Sequence, residues 1–166
     1  MNNSRIDHIQ PGEFNVVEVT LKSTLIDRSV NIMAIWSSMS IFENIFTNTL
    51  TGNIVLNDTH NLLSNFPIVG HETIFVNIES PNIEGASPIK HEFKVYTVTD
   101  ITDKGESSKG YAINFISEEY FTSIKTSVSK SYSDSTISDI VNKMFTTYMD
   151  SKKNIGVEKT KNKYDI

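Results

Sequence analysis

Four histidines, His8, His60, His71 and His91, are the side chains of this sequence best suited to hold a metal or move a proton near neutral pH. His60 and His71 stand close to Asp58 and Glu72, the company that a mixed imidazole–carboxylate metal site would need. The spacing does not support one, because neither HxxxH nor HExxH occurs. Serine is abundant, but no GxSxG elbow presents one as a nucleophile. Glu118 and Glu119 are adjacent carboxylates; neighbours on a helix point in different directions, so they read as the acidic first turn of a helix. Neither GxxxxGK[ST] nor GxGxxG is present, and the absence of cysteine excludes thiolate metal sites, disulfides and cysteine nucleophiles. Trp36, Phe42, Phe46 and Phe66 could build a stacking platform for bases or sugars. The net charge of −5 and pI near 5.3 argue against nucleic acid, and packing is the expected role of these aromatics. The expectation is therefore no catalytic residue, no cofactor, no metal ligand and no enzymatic activity.

The elements that would position such residues are mostly strands. The 166-residue chain holds 21 Ile, 12 Val and 16 Thr against 3 Ala and 6 Leu, and β-branched residues favour a pleated surface. Alternation predicts a strand over Phe14–Lys22 with Val17, Val19 and Leu21 on one side. Asp27–Ser29 is a turn, and Val30–Trp36 the second strand of a hairpin. Ser40–Phe46 has the i, i+1, i+4, i+5 spacing of a helical turn or crossover. Strands are expected at Asn53–Asn57, Thr73–Ser80, Glu92–Asp100 and Lys109–Ser117. Asp58 is expected to cap a short helix through Leu62, Leu63 and Phe66 that ends at Pro67. The loop Pro81–Pro88 and the turn Asp103–Glu106 complete this half.

The period changes at Ser117. Thr136-Ile137-Ser138-Asp139 has the spacing of a capping box. Ile137, Ile140, Val141, Met144, Phe145, Tyr148 and Met149 then form an apolar stripe at helical spacing, expected to be a buried helix face. Charge divides at the same place: residues 1–117 carry −6 and residues 118–166 carry +1. The fold class expected is mainly β, an antiparallel sandwich or barrel over 1–117, followed by helices over 118–166, α+β overall. The start Met1–Arg5 has no apolar run behind it, so no signal peptide is expected, and no stretch approaches the ~20 apolar residues of a membrane span.

The middle of the chain carries a recognisable series. Ile41-Phe42-Glu43-Asn44-Ile45-Phe46 precedes Leu50-Thr51-Gly52-Asn53-Ile54-Val55-Leu56-Asn57-Asp58; Leu62-Leu63, Pro67-Ile68-Val69-Gly70-His71-Glu72 and Phe93-Lys94-Val95-Tyr96 follow. Together with Ser117-Glu118-Glu119 and Thr136–Val141, this resembles the N-terminal part of the baseplate hub (tail tube-like hub) proteins of contractile-tailed bacteriophages, over roughly Val30 to Thr160. The resemblance implies a tube-like β domain over 1–117, with 118–166 beginning a second domain. It implies a virion structural protein that joins the tail tube to the central spike and lines the DNA channel. Its partners would be further copies of itself, three in all, with the tube and spike proteins. DNA would pass without specific binding, nothing would insert in a membrane, and assembly would take place in the host cytoplasm. An acidic channel wall would repel phosphate. The family has no catalytic residues to carry over. Its complete members have two tube domains per chain, so the chain is expected to be a fragment of a longer polypeptide or to complete its fold with a partner. The competing reading is a non-catalytic β domain that binds a small ligand or carbohydrate.

Overall fold

The computed structural model describes residues 13–47, 49–81, 85, 87–105, 108–151 and 153–166. The chain divides into two compact units, Met1–Ser117 and Glu118–Ile166.

Among the described residues, unit 1 forms a single antiparallel sheet of seven strands: β1 Asn15–Ser23, β2 Arg28–Asn31, β3 Trp36–Phe42, β4 Thr51–Asp58, β5 Glu72–Glu79, β6 Ile89–Asp103 and β7 Lys109–Ser117. They lie in the order β2-β1-β5-β6-β7-β4-β3. The two edge strands are neighbours in sequence, joined by the link Ile32–Ile35. A flat sheet of seven strands would hold its edges roughly 29 Å apart, whereas so short a link reaches about 18 Å at most. The sheet must therefore curl and bring its edges within reach of that link. The link bridges the join: Ile32 N–H donates to the Val19 carbonyl (3.0 Å) and Asn57 N–H to the Ile35 carbonyl (2.7 Å). Strands β2 and β3 are thus two halves of one path, the first paired with β1 and the second with β4.

Period-2 alternation puts Val19 and Leu21, Ile54 and Leu56, Ile74 and Val76, Phe93 and Val95, and Tyr111, Ile113 and Phe115 inside this curl. Ile32 and Ile35 join them from the link. Strand β7 is buried on both faces, its outward Ala112 and Ile116 included. Of the sandwich or barrel expected, the single curled sheet is the barrel-like form.

Three sequence expectations fail in this half. Val17 does not share the face of Val19 and Leu21, because the register shifts between Val16 and Glu18 and leaves Val17 47% exposed. Val30–Trp36 is not one strand, because the chain changes partner at Ile32–Ile35. Ser40–Phe46 is not helical: Ser40–Phe42 finishes β3, and an exposed turn follows. Asn31 and Asn44 direct the last two outcomes. Asn31 Oδ1 accepts from Met33 N–H (2.9 Å) and Asn44 Oδ1 from Phe46 N–H (2.9 Å), side-chain turns that compete with regular pairing.

Unit 2 contains α2 Glu118–Lys125, β8 Ser135–Thr136, α3 Ile137–Lys143, a π-helical turn Met144–Tyr148 and β9 Lys163–Tyr164, with β8 paired to β9. Thr136 caps α3 by accepting from Asp139 N–H (3.2 Å). The Asp139 carboxylate answers the Thr136 hydroxyl (2.6 Å) rather than its backbone amide, as befits a side chain shorter than Glu. Thr160 pins the same end: Ser138 N–H donates to Thr160 Oγ1 and Thr160 N–H to Ser138 Oγ, each at 3.2 Å. The apolar stripe is not the buried face expected of it. Ile137 and Val141 are 38% and 39% exposed, and Ile140, Met144 and Phe145 are half-buried. The buried side chains are Thr136 and Ser138, held by the hydroxyl network, and the wider π turn shifts the helical phase after Lys143.

Candidate functional site

Strands β4 and β5 are not adjacent in the sheet, so the segment that joins them, residues 59–71, crosses the mouth of the curl. It carries the short helix α1 Leu62–Asn65, and Leu62 and Phe66 drop into the core as a plug. A buried carboxylate holds each end of this crossing. Asp58 Oδ1 accepts from His60 N–H (3.0 Å), and Asp58 Oδ2 accepts from Leu63 N–H (3.4 Å) and the Tyr111 hydroxyl (3.2 Å). Glu72 Oε2 accepts from three successive amides, those of Val69 (3.1 Å), Gly70 (2.9 Å) and His71 (3.2 Å). Gly70 stands at φ +92, the conformation that lets the turn aim all three amides at one oxygen. Asp58 thus serves α1 as expected, although the residue at the helix start is Asn61, in left-handed backbone.

Sequence reasoning singled out Asp58 as a helix cap and, with Glu72, as a companion of histidines, and the structure gives the histidines other roles. The His60 imidazole meets Thr59 Oγ1 (3.1 Å), His71 is exposed, and His91 lies beside the Phe93 ring with centroids 5.7 Å apart. His8 lies outside the described residues. Among the described residues no three His, Asp or Glu side chains are grouped to hold a metal, and no helix is long and apolar enough to cross a membrane. Glu119 pairs with Lys153 (2.8 Å). The four aromatics do not form one platform either: Phe66 is core, Trp36 packs against the core, and Phe42 and Phe46 are exposed.

The Tyr111 hydroxyl has its pKa pushed well up from the usual value, by burial first and then by the charge and hydrogen bond of Asp58. Unfolded, it would ionise near 10. With respect to this group, the folded protein therefore keeps its full stability below pH ~10 and loses it as pH rises through the folded value. In an ultraviolet titration of tyrosine, one component should ionise late and together with unfolding. Tyr111→Phe should remove that component; a titration identical in the two proteins would contradict the assignment.

The other feature is the tip between β3 and β4. Ile45 and Phe46 are each 91% exposed, with Phe42 beside them. The tip is shaped rather than loose: besides the Asn44 side-chain turn, Thr47 N–H donates to the Asn44 carbonyl (3.1 Å). Ile45 and Phe46 are the two most exposed of the large apolar side chains among the described residues.

No protein-family model matches the chain, and no curated protein matches it. A solved structure with a similar chain is titled "Structure of Francisella PdpA-VgrG Complex, half-lidded": 14% identity and a TM-score of 0.41, over 81% of this chain and 22% of that one. This chain therefore spans about a fifth of that chain's length.

Proposed function

We propose that the chain is a virion structural protein, a baseplate hub component that joins a tail tube to a central spike and works by assembly rather than catalysis. The observation that carries this reading is the exposed apolar tip Ile45-Phe46 on an acidic, curled antiparallel sheet. The sequence resemblance adds to it, since the quoted segments fall at structurally demanding places. Ile41–Phe46 forms the end of β3 and the tip, Gly52 sits in β4 under the Phe115 ring, and Pro67–Glu72 is the step into β5. In this reading copies of the chain form a ring, three in all, whose acidic wall lets DNA slide. The assembly takes place in a host cytoplasm and ends in the phage tail. The partners are the tube and spike proteins, with no cofactor and no membrane insertion.

The test is sedimentation and negative-stain imaging of the purified chain beside an Ile45→Ser, Phe46→Ser variant. The wild type should associate into rings. The variant should stay monomeric with its stability altered by no more than about 0.5 kcal/mol, because both side chains are already in water. A wild type that is monomeric at every concentration, or a variant that assembles equally well, would overturn the reading.

A further inference from the structure

We propose that unit 1 contains a built solvent site: one water molecule bound between Ser23 Oγ and Glu72 Oε1. Ser23 ends β1, Glu72 begins β5, and the two are direct partners across the antiparallel pair. Both lie on the inward phase of their strands, Ser23 behind Val19 and Leu21, Glu72 ahead of Ile74 and Val76. Ser23 is 1% exposed and Glu72 0%. The three amides of residues 69–71 occupy Glu72 Oε2, while among the described residues Glu72 Oε1 and Ser23 Oγ have no hydrogen-bond partner.

Two such groups, buried on the same face of neighbouring strands, are expensive to leave unmet. Directly opposed residues hold their Cβ atoms about 4.5–5.5 Å apart. A water with a hydrogen bond of ~2.8 Å on each side can join two neighbouring oxygens that do not bond each other directly, as these two do not. Water suits the chemistry as well. It donates to the carboxylate oxygen and either donates to or accepts from the serine hydroxyl, which gives it the two polar partners a buried water needs. A hard cation would demand about six oxygen ligands, and Ser23 and Glu72 supply two.

The site ties the end of the β1–β2 hairpin to the turn that closes the mouth of the curl. Its water can leave only when that end opens, so the exchange of this water reports on opening of the plug. A high-resolution crystal structure of the full chain tests the site, together with water-to-amide cross-relaxation at Gly70 and His71 in solution. One ordered water within hydrogen-bond distance of both oxygens is expected, with long-lived cross-peaks at those amides. Ser23→Val, which removes the hydroxyl and fills its space, should lose the water and the cross-peaks while Glu72 keeps its three amide bonds. A direct Ser23–Glu72 hydrogen bond, a multiply coordinated ion at the position, or cross-peaks unchanged in Ser23→Val would overturn the proposal. If Ser23→Val does not fold, the wild-type density decides alone.

Discussion

Replacing Gly52 with valine is expected to stop unit 1 from folding, and even alanine should cost about 3 kcal/mol, the upper part of the range for overpacking a close-packed core. Gly52 sits in β4 between Ile41 of β3 and Phe115 of β7. A Cβ at this position would stand 2.5 Å from Phe115 Cε2 and 2.5 Å from the Ser40 carbonyl oxygen. The first neighbour is an aromatic ring already packed against Phe93, with centroids 4.8 Å apart. The second is strand backbone, which moves only if the pairing of β3 with β4 moves. The measurement is equilibrium urea unfolding of wild type, Gly52→Ala, Phe115→Leu and the double variant. The double variant should recover part of the alanine cost, since leucine vacates the ring's space, but not the part owed to the Ser40 carbonyl. A Gly52→Ala protein as stable as its parent would show that ring and strand yield freely, and the packing argument would fail.

This glycine illustrates what was legible in the sequence. It could be read as opening a strand, from Gly52 followed by alternating Ile54 and Leu56, and the strand is there. That Phe115 covers the glycine could not be read, because the two lie 63 positions apart and meet only through the β4–β7 register. The same division runs through the molecule. The strands found by alternation at β1, β4, β5 and β7 depend on local period, and local period survives folding. The partner change at Ile32–Ile35 depends on closure of the whole sheet, and its one local sign was Asn31, a residue prone to turn on its own side chain. In the second half, a stripe at helical spacing indicated a helix. Its burial was a separate inference, and the small unit buries Thr136 and Ser138 instead of Ile137 and Val141.

The carboxylates at the mouth were more legible than they were made to be. Asp58 follows Ile54 and Leu56 in phase, Glu72 precedes Ile74 and Val76 in phase, and Ser23 follows Val19 and Leu21 in phase. Period 2 alone therefore places all three polar side chains inside. A charged residue on the inward phase at a strand end, next to a turn with glycine, calls for backbone amides to receive it.

Removal of the Glu72 carboxylate should be as damaging as an aliphatic cavity of similar size, for a different reason. Glu72→Ala opens space in the sheet and takes the common acceptor from Val69, Gly70 and His71. Hydrogen bonds to a charged group contribute about 1.5–3 kcal/mol apiece, although three on one oxygen will not add in full. The turn also keeps Gly70 at φ +92, a conformation that the shared acceptor helps to fix. We expect a loss of about 3–4 kcal/mol for Glu72→Ala, among the larger effects of a single substitution, because it combines a cavity with a broken buried network. Glu72→Gln keeps the volume and an oxygen for the amides but loses the charge, and should cost about half as much. Urea unfolding gives the ranking, and hydrogen exchange at Gly70 and His71 shows where the damage lies. Their amides should lose protection in Glu72→Ala and keep part of it in Glu72→Gln, while the amides of α3 in unit 2 keep theirs. Equal stability for wild type and Glu72→Ala would mean that water satisfies the turn as well as the carboxylate does, and the crossing at the mouth would then be held by Asp58, Leu62 and Phe66.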